Sequence, residues 1–357
     1  MINTKNISKR IAKFINKQIA EKVFPGAVIA ILEKDKVLYH AAFGQRIITP
    51  KQAPMLNDTL FDLASLTKPI VIGTLTVQLV ESDMITLGAA VQEYLPEFNQ
   101  PDITCIDLLR HTSGLPAWKP LYIETESPEN IVEHLGNMPL ESVPGEKVTY
   151  SCLGYILMGK ILTAITEKPL DTLAYENIFK PLGMNRTYYN PPAQLRDNCA
   201  ATEDSNSFER RMINTSQHGK YYKGHTWRDG VIIGEVHDEN ANYLGGISGN
   251  AGLFSNARDL ITFCQMILNY GSLLLSAESI DELSIPQTSN DATEQRSIGW
   301  HILSDGAMYH TGFTGTSIRI DLEMGIAAIL LTNRVHPDAQ STSIIACRNQ
   351  FHRIIFG

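Results

Sequence analysis

The two ends of the chain carry hydrophobic patterns that predict a shared sheet with helices packed against it. Apolar positions recur at helical spacing over about residues 4–22, which predicts an amphipathic helix. The stretch GAVIAILEKDKVLYHAAFG then predicts two antiparallel strands joined by a polar turn at residues 33–36. Near the other end, TSIRIDLEMGIAAILLTN predicts two more strands, and a last helix is predicted over about residues 338–356.

The middle of the chain shows helical patterns and little strand character. Segments such as LGYILMGKILTAITEK alternate with Pro and Gly loops. A buried helix is predicted from about Ser65 to Glu81, with Pro69 in the first turn, where a helix tolerates proline. The sequence therefore predicts an α/β fold, in which helices flank an antiparallel sheet and a mostly helical lobe is inserted. We assign the chain to one domain with two lobes: residues 1–62 with 241–357, and residues 63–240.

Composition excludes several classes of partner. With 357 residues, of which 43% are hydrophobic, the chain is long and apolar enough to bury a large core. Its net charge of −8 is spread along the sequence, so there is no basic footprint for nucleic acid. No apolar run reaches the roughly 20 residues that a membrane span needs. We therefore expect a small-molecule or peptide partner.

Cysteine usage and the N-terminal pattern bear on cofactors and location. The five cysteines are widely spaced and form no CxxC pair, so neither a disulfide framework nor a zinc site is indicated. We predict no metal and no other cofactor. Basic residues interrupt the apolar positions of the first helix, so this segment lacks the apolar core of a signal peptide. On the sequence given, we expect a cytoplasmic protein.

The stretch FDLASLTKPIV places Ser65 and Lys68 three positions apart at the start of a predicted helix. A helix brings such residues to one face, where the lysine could activate the serine as a nucleophile. The helix N-terminus adds a field that favours developing negative charge. Because SxxK occurs by chance in many proteins, this pattern alone favours the alternative, a first-turn serine beside a solvated lysine.

Two further stretches carry candidate chemistry. In PGEKVTYSCLGYILMG, Tyr150 precedes an apolar helix, and a nearby lysine cation would ease its ionisation as a general base. In HTGFTGTSIRI, the small residues Thr311 and Gly312 would let an extended ligand lie alongside a strand. The N–H of Phe313 could then bind an oxyanion. A core tyrosine and a glycine-rich strand edge without a ligand are the structural alternatives.

These elements, SLTK, YSC and HTG in that order, resemble the serine β-lactamase-like hydrolases. That group includes class C β-lactamases, low-molecular-weight penicillin-binding proteins and related esterases. The stretches LLRHTSGLP, FKPLGM, GEVHDENA and GNAGLFS are similar to its connecting signatures, so the resemblance spans about residues 25–333. It implies that Ser65 is acylated and that Lys68 and Tyr150 move protons. It also implies that the N–H groups of Ser65 and Phe313 form an oxyanion hole, in a cleft between an α/β sandwich and a helical lobe.

Four residues are expected to contact substrate: Cys152, His310, Thr311 and Gly312. The sequence departs from the family pattern at the first two of them. Cys152 stands where the tyrosine motif often ends in Asn, and a thiol cannot both donate to and accept from a peptide bond as an amide does. His310 stands where the family often has Lys, and it is mostly neutral near pH 7 unless a carboxylate raises its pKa. Both departures favour an esterase or a peptidase over an efficient β-lactamase.

The resemblance therefore implies a serine hydrolase that works through an acyl-enzyme. Its expected substrates are β-lactams, D-Ala-D-Ala-type peptides or small esters. The first two lie outside the cytoplasm, so the family also implies a periplasmic or secreted location, in contrast to the absence of a signal peptide pattern. The alternative is a binding or assembly protein that keeps the fold without useful turnover. Retention of Ser65, Lys68 and Tyr150 argues against that alternative.

Polar residues outside the three motifs receive structural assignments. We expect His111 and His237 to bond loop backbone, and we consider His218 with His225 a poor metal site, because no acidic or Cys partner lies at ligand spacing. The polar segment 195–240 is long enough to be a functional excursion or a mobile insert. Its aromatic residues are expected to pack within it: Tyr221, Tyr222 and Trp227.

Overall fold

The computed structural model describes residues 4–215, 225–272, 274–289, 292–339 and 343–357. Its main sheet has eight strands in the order β3-β2-β1-β11-β10-β9-β8-β7, and a small sheet has the order β4-β6-β5. The strands are β1 (Gly26–Glu33), β2 (Lys36–Ile47), β3 (Ala53–Pro54), β4 (Phe61–Asp62), β5 (Tyr188–Tyr189), β6 (Leu253–Ser255), β7 (Gln295–Arg296), β8 (His301–Ile302), β9 (Met308–Thr311), β10 (Ser317–Asp321) and β11 (Ile326–Thr332).

Helices supply most of the segments between the strands. The α-helices are α1 (Thr4–Ala20), α2 (Thr74–Glu81), α3 (Val91–Tyr94), α4 (Cys105–Leu109), α5 (Leu121–Glu124), α6 (Ile131–Gly136), α7 (Cys152–Thr166), α8 (Leu170–Ala174), α9 (Lys180–Leu182), α10 (Ser207–Thr215), α11 (Glu239–Tyr243), α12 (Ala257–Leu268), α13 (Ala277–Ser284) and α14 (Ile344–Phe356). Short 3-10 helices occur at Ala64–Leu66, Pro128–Asn130 and Ala193–Asn198, and π-helical turns at Lys68–Gly73 and Tyr175–Phe179.

Strands β1 and β11 form the centre of the main sheet and are buried on both faces. They pair in antiparallel register, with Ile29 opposite Leu330. These two side chains join a cluster with apolar residues of α1 and α14. Their neighbours Val28 and Ile329 point to the other face and join the larger core, on the side covered by α12. Because both faces are covered, both strands read as continuous apolar runs rather than alternating ones.

This architecture confirms the predicted fold class. The strands expected near the two ends lie side by side in one antiparallel sheet, and helices cover both of its faces. The predicted N-terminal helix is present as α1, and the C-terminal helix begins at Ile344. Within the described residues, no helix combines the length and the apolar character that crossing a membrane requires.

The predicted helix from Ser65 to Glu81 is present, but its first turns are not regular α-helix. Ala64 has a φ of 48°, which lies outside the helical range, so the chain turns sharply just before the serine. A 3-10 turn and a π-helical segment, Lys68–Gly73, then precede the regular helix α2. Pro69 has no N–H to donate, which removes one bond from a regular α-helical ladder at this point.

Candidate active site

The turn Ala64–Leu66 presents Ser65 at the mouth of a cleft. The turn follows β4 directly, and the Ala64 N–H donates to Asp62 Oδ1 at 2.8 Å. Thr67 Oγ1 donates back to the Ala64 carbonyl at 2.7 Å. These two bonds hold the turn on both sides, so the half-buried Ser65 has a defined orientation while its neighbours are buried.

Lys68 lies completely buried beneath the serine. Its Nζ donates to Ser65 Oγ at 3.0 Å and to the Asn250 carbonyl at 2.9 Å, and it lies 3.6 Å from Cys152 Sγ. Burial lowers the pKa of Lys68, but electrostatic interactions with Cys152 and Tyr150 and a hydrogen bond to Tyr150 raise this pKa by more. The lysine is therefore a cation held beside the Ser65 hydroxyl.

The Tyr150 ring lies among cations and imidazoles. Lys68 Nζ is 5.1 Å from the ring centroid, and the Arg296 guanidinium carbon is 5.5 Å away. The His111 ring centroid lies 4.5 Å from that of Tyr150, and the His310 centroid lies 6.1 Å away. Both cations lie within 6 Å of the ring centroid, the range in which a cation is attracted to an aromatic ring. The sequence did not predict that Arg296 lies beside Tyr150.

His111 and the start of α7 fix the backbone next to Tyr150. The Ser151 N–H donates to His111 Nδ1 at 3.0 Å, as expected for a histidine that bonds loop backbone. Burial, followed by the charges of Arg296 and Lys68, lowers the pKa of His111 well below its usual value. Ser151 Oγ also caps α7 by accepting from the Gly154 N–H. A neutral acceptor thus holds the tyrosine segment in place.

Strand β9 places His310 beside this cluster as a neutral ring. Its Nδ1 lies 2.9 Å from the Thr311 carbonyl, which it contacts as a donor. Burial, together with the charges of Lys68 and Arg296, lowers the pKa of His310 well below its usual value. The side chain therefore does not supply the positive charge of the lysine that it replaces.

The end of β9 packs directly on the nucleophile turn. A Cβ added at Gly312 would lie 2.3 Å from the Leu63 carbonyl oxygen and 2.2 Å from Thr316 Oγ1, so any larger residue would force the strand away. Thr316 Oγ1 itself donates to the Leu63 carbonyl at 3.0 Å. This close approach brings Phe313, the predicted second oxyanion residue, to the cleft that holds Ser65.

The cleft has a volume of about 590 Å³ and brings most of the predicted site residues together. Ser65, Tyr150, Cys152 and the stretch 311–313 line it, whereas Lys68 and His310 are buried behind them. Other lining residues were not predicted from the sequence: Trp118, Phe208, Glu209, Met212, Asp238, Ile344, Ile345 and Arg348. These residues come from segments far apart in the sequence, so no local sequence pattern could have shown that they meet at one cleft.

Helix α10 builds one wall of the cleft from the polar segment 195–240. Glu209 on this helix accepts from Tyr122 Oη at 2.9 Å and from the Glu239 N–H at 3.2 Å. Burial, and next the charge of Asp238, raises the pKa of Glu209 to about 8. A largely protonated carboxyl group therefore faces the cleft near neutral pH. The described part of this segment lines the cleft, and whether the whole segment is a functional excursion stays a prediction.

Several other polar residues of this region form buried contacts with carboxylates. His225 binds Glu239 at 3.2 Å, and the Trp227 ring packs edge-on against it. His237 lies 2.9 Å from Glu203, so its ring contacts a carboxylate rather than the expected backbone group. Over the described residues, no cluster of three or more His, Cys, Asp or Glu side chains has metal-binding geometry. The predictions for His218, Tyr221 and Tyr222 lie outside the described residues.

This fold and cleft define the class of the protein as a hydrolase of the serine β-lactamase-like type. The family model described as Beta-lactamase matches residues 11–345, and the chain belongs to that family.

Two relatives are similar to the chain over most of its length. The chain is 33% identical to a Bacillus subtilis (strain 168) protein named N-acetylmuramyl-L-alanine amidase, over 94% of this chain and 82% of the relative. It is 29% identical to a putative D-alanyl-D-alanine carboxypeptidase of Escherichia coli (strain K12), over 91% and 81%.

Solved structures show the same fold at low identity. EstCE1, a hydrolase with promiscuous acyltransferase activity, superposes with a TM-score of 0.79 at 19% identity and covers both chains completely. A class C β-lactamase superposes with a TM-score of 0.76 at 16% identity, over 100% of this chain and 98% of the other.

Proposed function

We propose that the protein hydrolyses an amide or ester bond through an acyl-enzyme formed on Ser65. The observation that carries this proposal is the 3.0 Å contact between the buried Lys68 Nζ and Ser65 Oγ, with Tyr150 beside the same ammonium group. A buried lysine costs free energy unless its charge is used or paired. Here it supports both the nucleophile and the tyrosine.

In the proposed acylation step, Tyr150 acts as a phenolate, whose negative charge the Lys68 ammonium balances, and takes the proton of the Ser65 hydroxyl to become a neutral phenol. Ser65 Oγ then attacks the substrate carbonyl carbon. The N–H groups of Ser65 and Phe313 donate to the oxyanion that develops. When the C–N or C–O bond breaks, Tyr150 returns the proton to the leaving group.

In deacylation, water takes the place of the leaving group. The Tyr150 phenolate accepts a proton from the water as the water oxygen attacks the acyl carbonyl carbon. The bond between that carbon and Ser65 Oγ then breaks, and Tyr150 gives the same proton to Ser65 Oγ, which restores the phenolate. His310 is neutral, so it acts by packing and hydrogen bonding near Tyr150 rather than as a carboxylate-binding cation. Thr311, Gly312 and Cys152 line the cleft where the acyl group would lie.

We propose a cell-wall peptide as the substrate class, with the scissile amide next to an alanine. The support is the 33% and 29% identity to relatives named as a muramyl-alanine amidase and a D-alanyl-D-alanine carboxypeptidase. A small ester is the second candidate, because Trp118, Phe208 and Met212 give the cleft an apolar wall. Cys152 and His310 argue against efficient β-lactam turnover. The cellular compartment stays a prediction.

Intact-mass spectrometry after mixing with a fluorophosphonate tests the nucleophile, with Ser65→Ala as the matched control. We expect one adduct on the native protein and none on the variant. Absence of an adduct on the native protein would favour the binding or assembly alternative.

A second experiment sorts the substrates. Purified protein is incubated separately with a muramyl peptide, a D-Ala-D-Ala-terminated peptide, a nitrophenyl ester and benzylpenicillin. Release of peptide from muramic acid identifies an amidase, and release of D-alanine identifies a carboxypeptidase. Ester cleavage alone would replace the cell-wall assignment by the esterase one.

A further inference from the structure

Three separate segments around Ser65 donate hydrogen bonds to a single buried residue, Asp62. This residue ends β4 and is only 2% exposed. It does not touch the cleft surface, so its position gives it no direct contact with a substrate. Its oxygen atoms nevertheless all accept hydrogen bonds from segments that line the cleft.

The three bonds are short and come from different parts of the chain. Oδ1 accepts from the Ala64 N–H at 2.8 Å, and Oδ2 accepts from the His237 N–H at 2.7 Å. The Asp62 carbonyl oxygen accepts from Thr314 Oγ1 at 2.7 Å. Asp62 thus joins the nucleophile turn, the 237–238 loop and the loop that follows Phe313.

The bond to Ala64 acts where the backbone is strained. Ala64 has a φ of 48°, a conformation that an alanine adopts only when its surroundings hold it there. An aspartate two positions earlier that accepts from this N–H is a turn motif that stabilises such a bend. The orientation of the next N–H, that of Ser65, depends on this bend.

The bonds to Thr314 and His237 act on the other side of the proposed oxyanion hole. Thr314 follows Phe313, so its bond ties the Phe313 backbone to the same residue that orients the serine turn. His237 stacks on the Phe313 ring, with centroids 5.4 Å apart and planes inclined at 26°. The carboxylate and the backbone carbonyl of Asp62 together therefore fix the spacing between the two oxyanion donors.

We propose that Asp62 is a positioning residue that sets the distance and direction between the Ser65 and Phe313 N–H groups. This inference rests on the proposed function, because it assigns a role within the same acyl-transfer step. An ionised aspartate offers only acceptors, which suits two N–H donors at its two oxygens. An asparagine keeps the shape but turns an amino group toward one of those donors.

The test compares Asp62→Asn with Asp259→Asn, a matched change far along the chain. Asp259 is also buried, and its Oδ2 accepts from the Arg186 N–H at 2.7 Å and from Thr187 Oγ1 at 2.8 Å. Asp62→Asn loses one acceptor at a satisfied buried site, so we expect its melting temperature to fall by about 2–4 °C. Asp259→Asn can turn its remaining carbonyl oxygen toward both donors, so it should fall by no more than that, and it controls for the replacement of a buried carboxylate elsewhere. Only Asp62→Asn should affect the chemistry.

The kinetic readouts are the rate of fluorophosphonate labelling of Ser65, and kcat and KM on whichever substrate the native protein cleaves. We expect Asp62→Asn to slow labelling and to lower kcat by about 10- to 100-fold, somewhat less than complete loss of an oxyanion donor, with KM little changed. Thr314→Val removes only the third bond, and we expect a smaller loss, about 3- to 10-fold.

Several results would overturn the inference. Native labelling and kcat in a folded Asp62→Asn variant would do so, as would an equal kinetic loss in Asp259→Asn, because the effect would then be one of general stability. If Asp62→Asn does not fold, Thr314→Val decides, and an unchanged rate in that variant rejects the inference. If the native protein itself is not labelled, the proposed function fails and the inference fails with it.

Discussion

The core around β1 and β11 and the groups packed beneath Ser65 are both buried, but different physical rules build them. In the core, side chains such as Ile29 and Leu330 have only to be apolar and of suitable volume. Around the cleft, the buried groups are polar, and Lys68 needs acceptors at fixed places to remain buried. A change in the core should therefore cost stability first, whereas a change at the cleft should cost activity first.

Among the changes that separate the cleft from the core, Ser65→Ala should have the largest effect on turnover. We expect turnover to fall by about 10⁴-fold or more, because no other group replaces the nucleophile. The melting temperature should change little, since only one hydroxyl contact to Lys68 is lost. Initial rates with the native substrate and a thermal melt measure both. Retained turnover would move the chemistry to another residue.

In the core, Leu330→Ala should give the opposite result. Leu330 is completely buried, so removing its side chain should lower the free energy of unfolding by about 2–5 kcal/mol. Denaturant titration measures this loss. The kcat of the molecules that remain folded should stay near that of the native protein. A large fall in kcat in a folded sample would show that the core and the cleft are coupled.

Tyr150→Phe should reduce activity with a smaller change in stability than the core variant. The ring contacts to His111 and Lys68 remain, but the proton carrier is lost, so we expect acylation to slow by about 10²-fold or more. Stopped-flow or mass-resolved acylation rates give the measurement. Full activity in this variant would remove Tyr150 from the proposed proton path.

The last expected effect concerns pH and Glu209, and it changes stability rather than turnover. Burial raises the pKa of this carboxyl group from 4.5 to about 8, so between these values the folded protein keeps a proton that the unfolded chain releases. The native protein should therefore lose stability as the pH rises through this range. Glu209→Gln, which cannot ionise, should gain in melting temperature relative to the native protein from pH 5 to pH 8. A difference that does not change with pH would mean that Glu209 is ionised in the folded state.

Sequence patterns predicted the strands of the main sheet because apolar runs and alternation are local features of the sequence. The apolar run of β11 and the hairpin of β1 and β2 appear directly in the order of residues, and the structure confirms them. The helix at Ser65 is present, but neither its 3-10 and π turns nor the left-handed Ala64 before it were predicted, because they leave no trace in hydrophobic periodicity. The division into two lobes stays a prediction.

Only those site residues that belong to sequence motifs were predicted. Ser65, Tyr150, Cys152 and the 311–313 stretch do meet at one cleft, although their catalytic roles stay proposals. Arg296 beside Tyr150 and the wall formed by α10 could not be predicted, because each contact joins residues far apart in the sequence. Buried polar groups specify such contacts through geometry, which a one-dimensional pattern does not record.

The acceptor that Lys68 uses on Asn250 is a backbone carbonyl, and this has a consequence for how the site responds to genetic variation. A point substitution at position 250 exchanges the side chain but leaves the carbonyl oxygen in the chain. A library of single substitutions would therefore report the tolerance of the side chain at this position and would miss the bond to the lysine. Replacement of the following amide by an ester, through chemical protein synthesis, would weaken that carbonyl and expose its contribution directly.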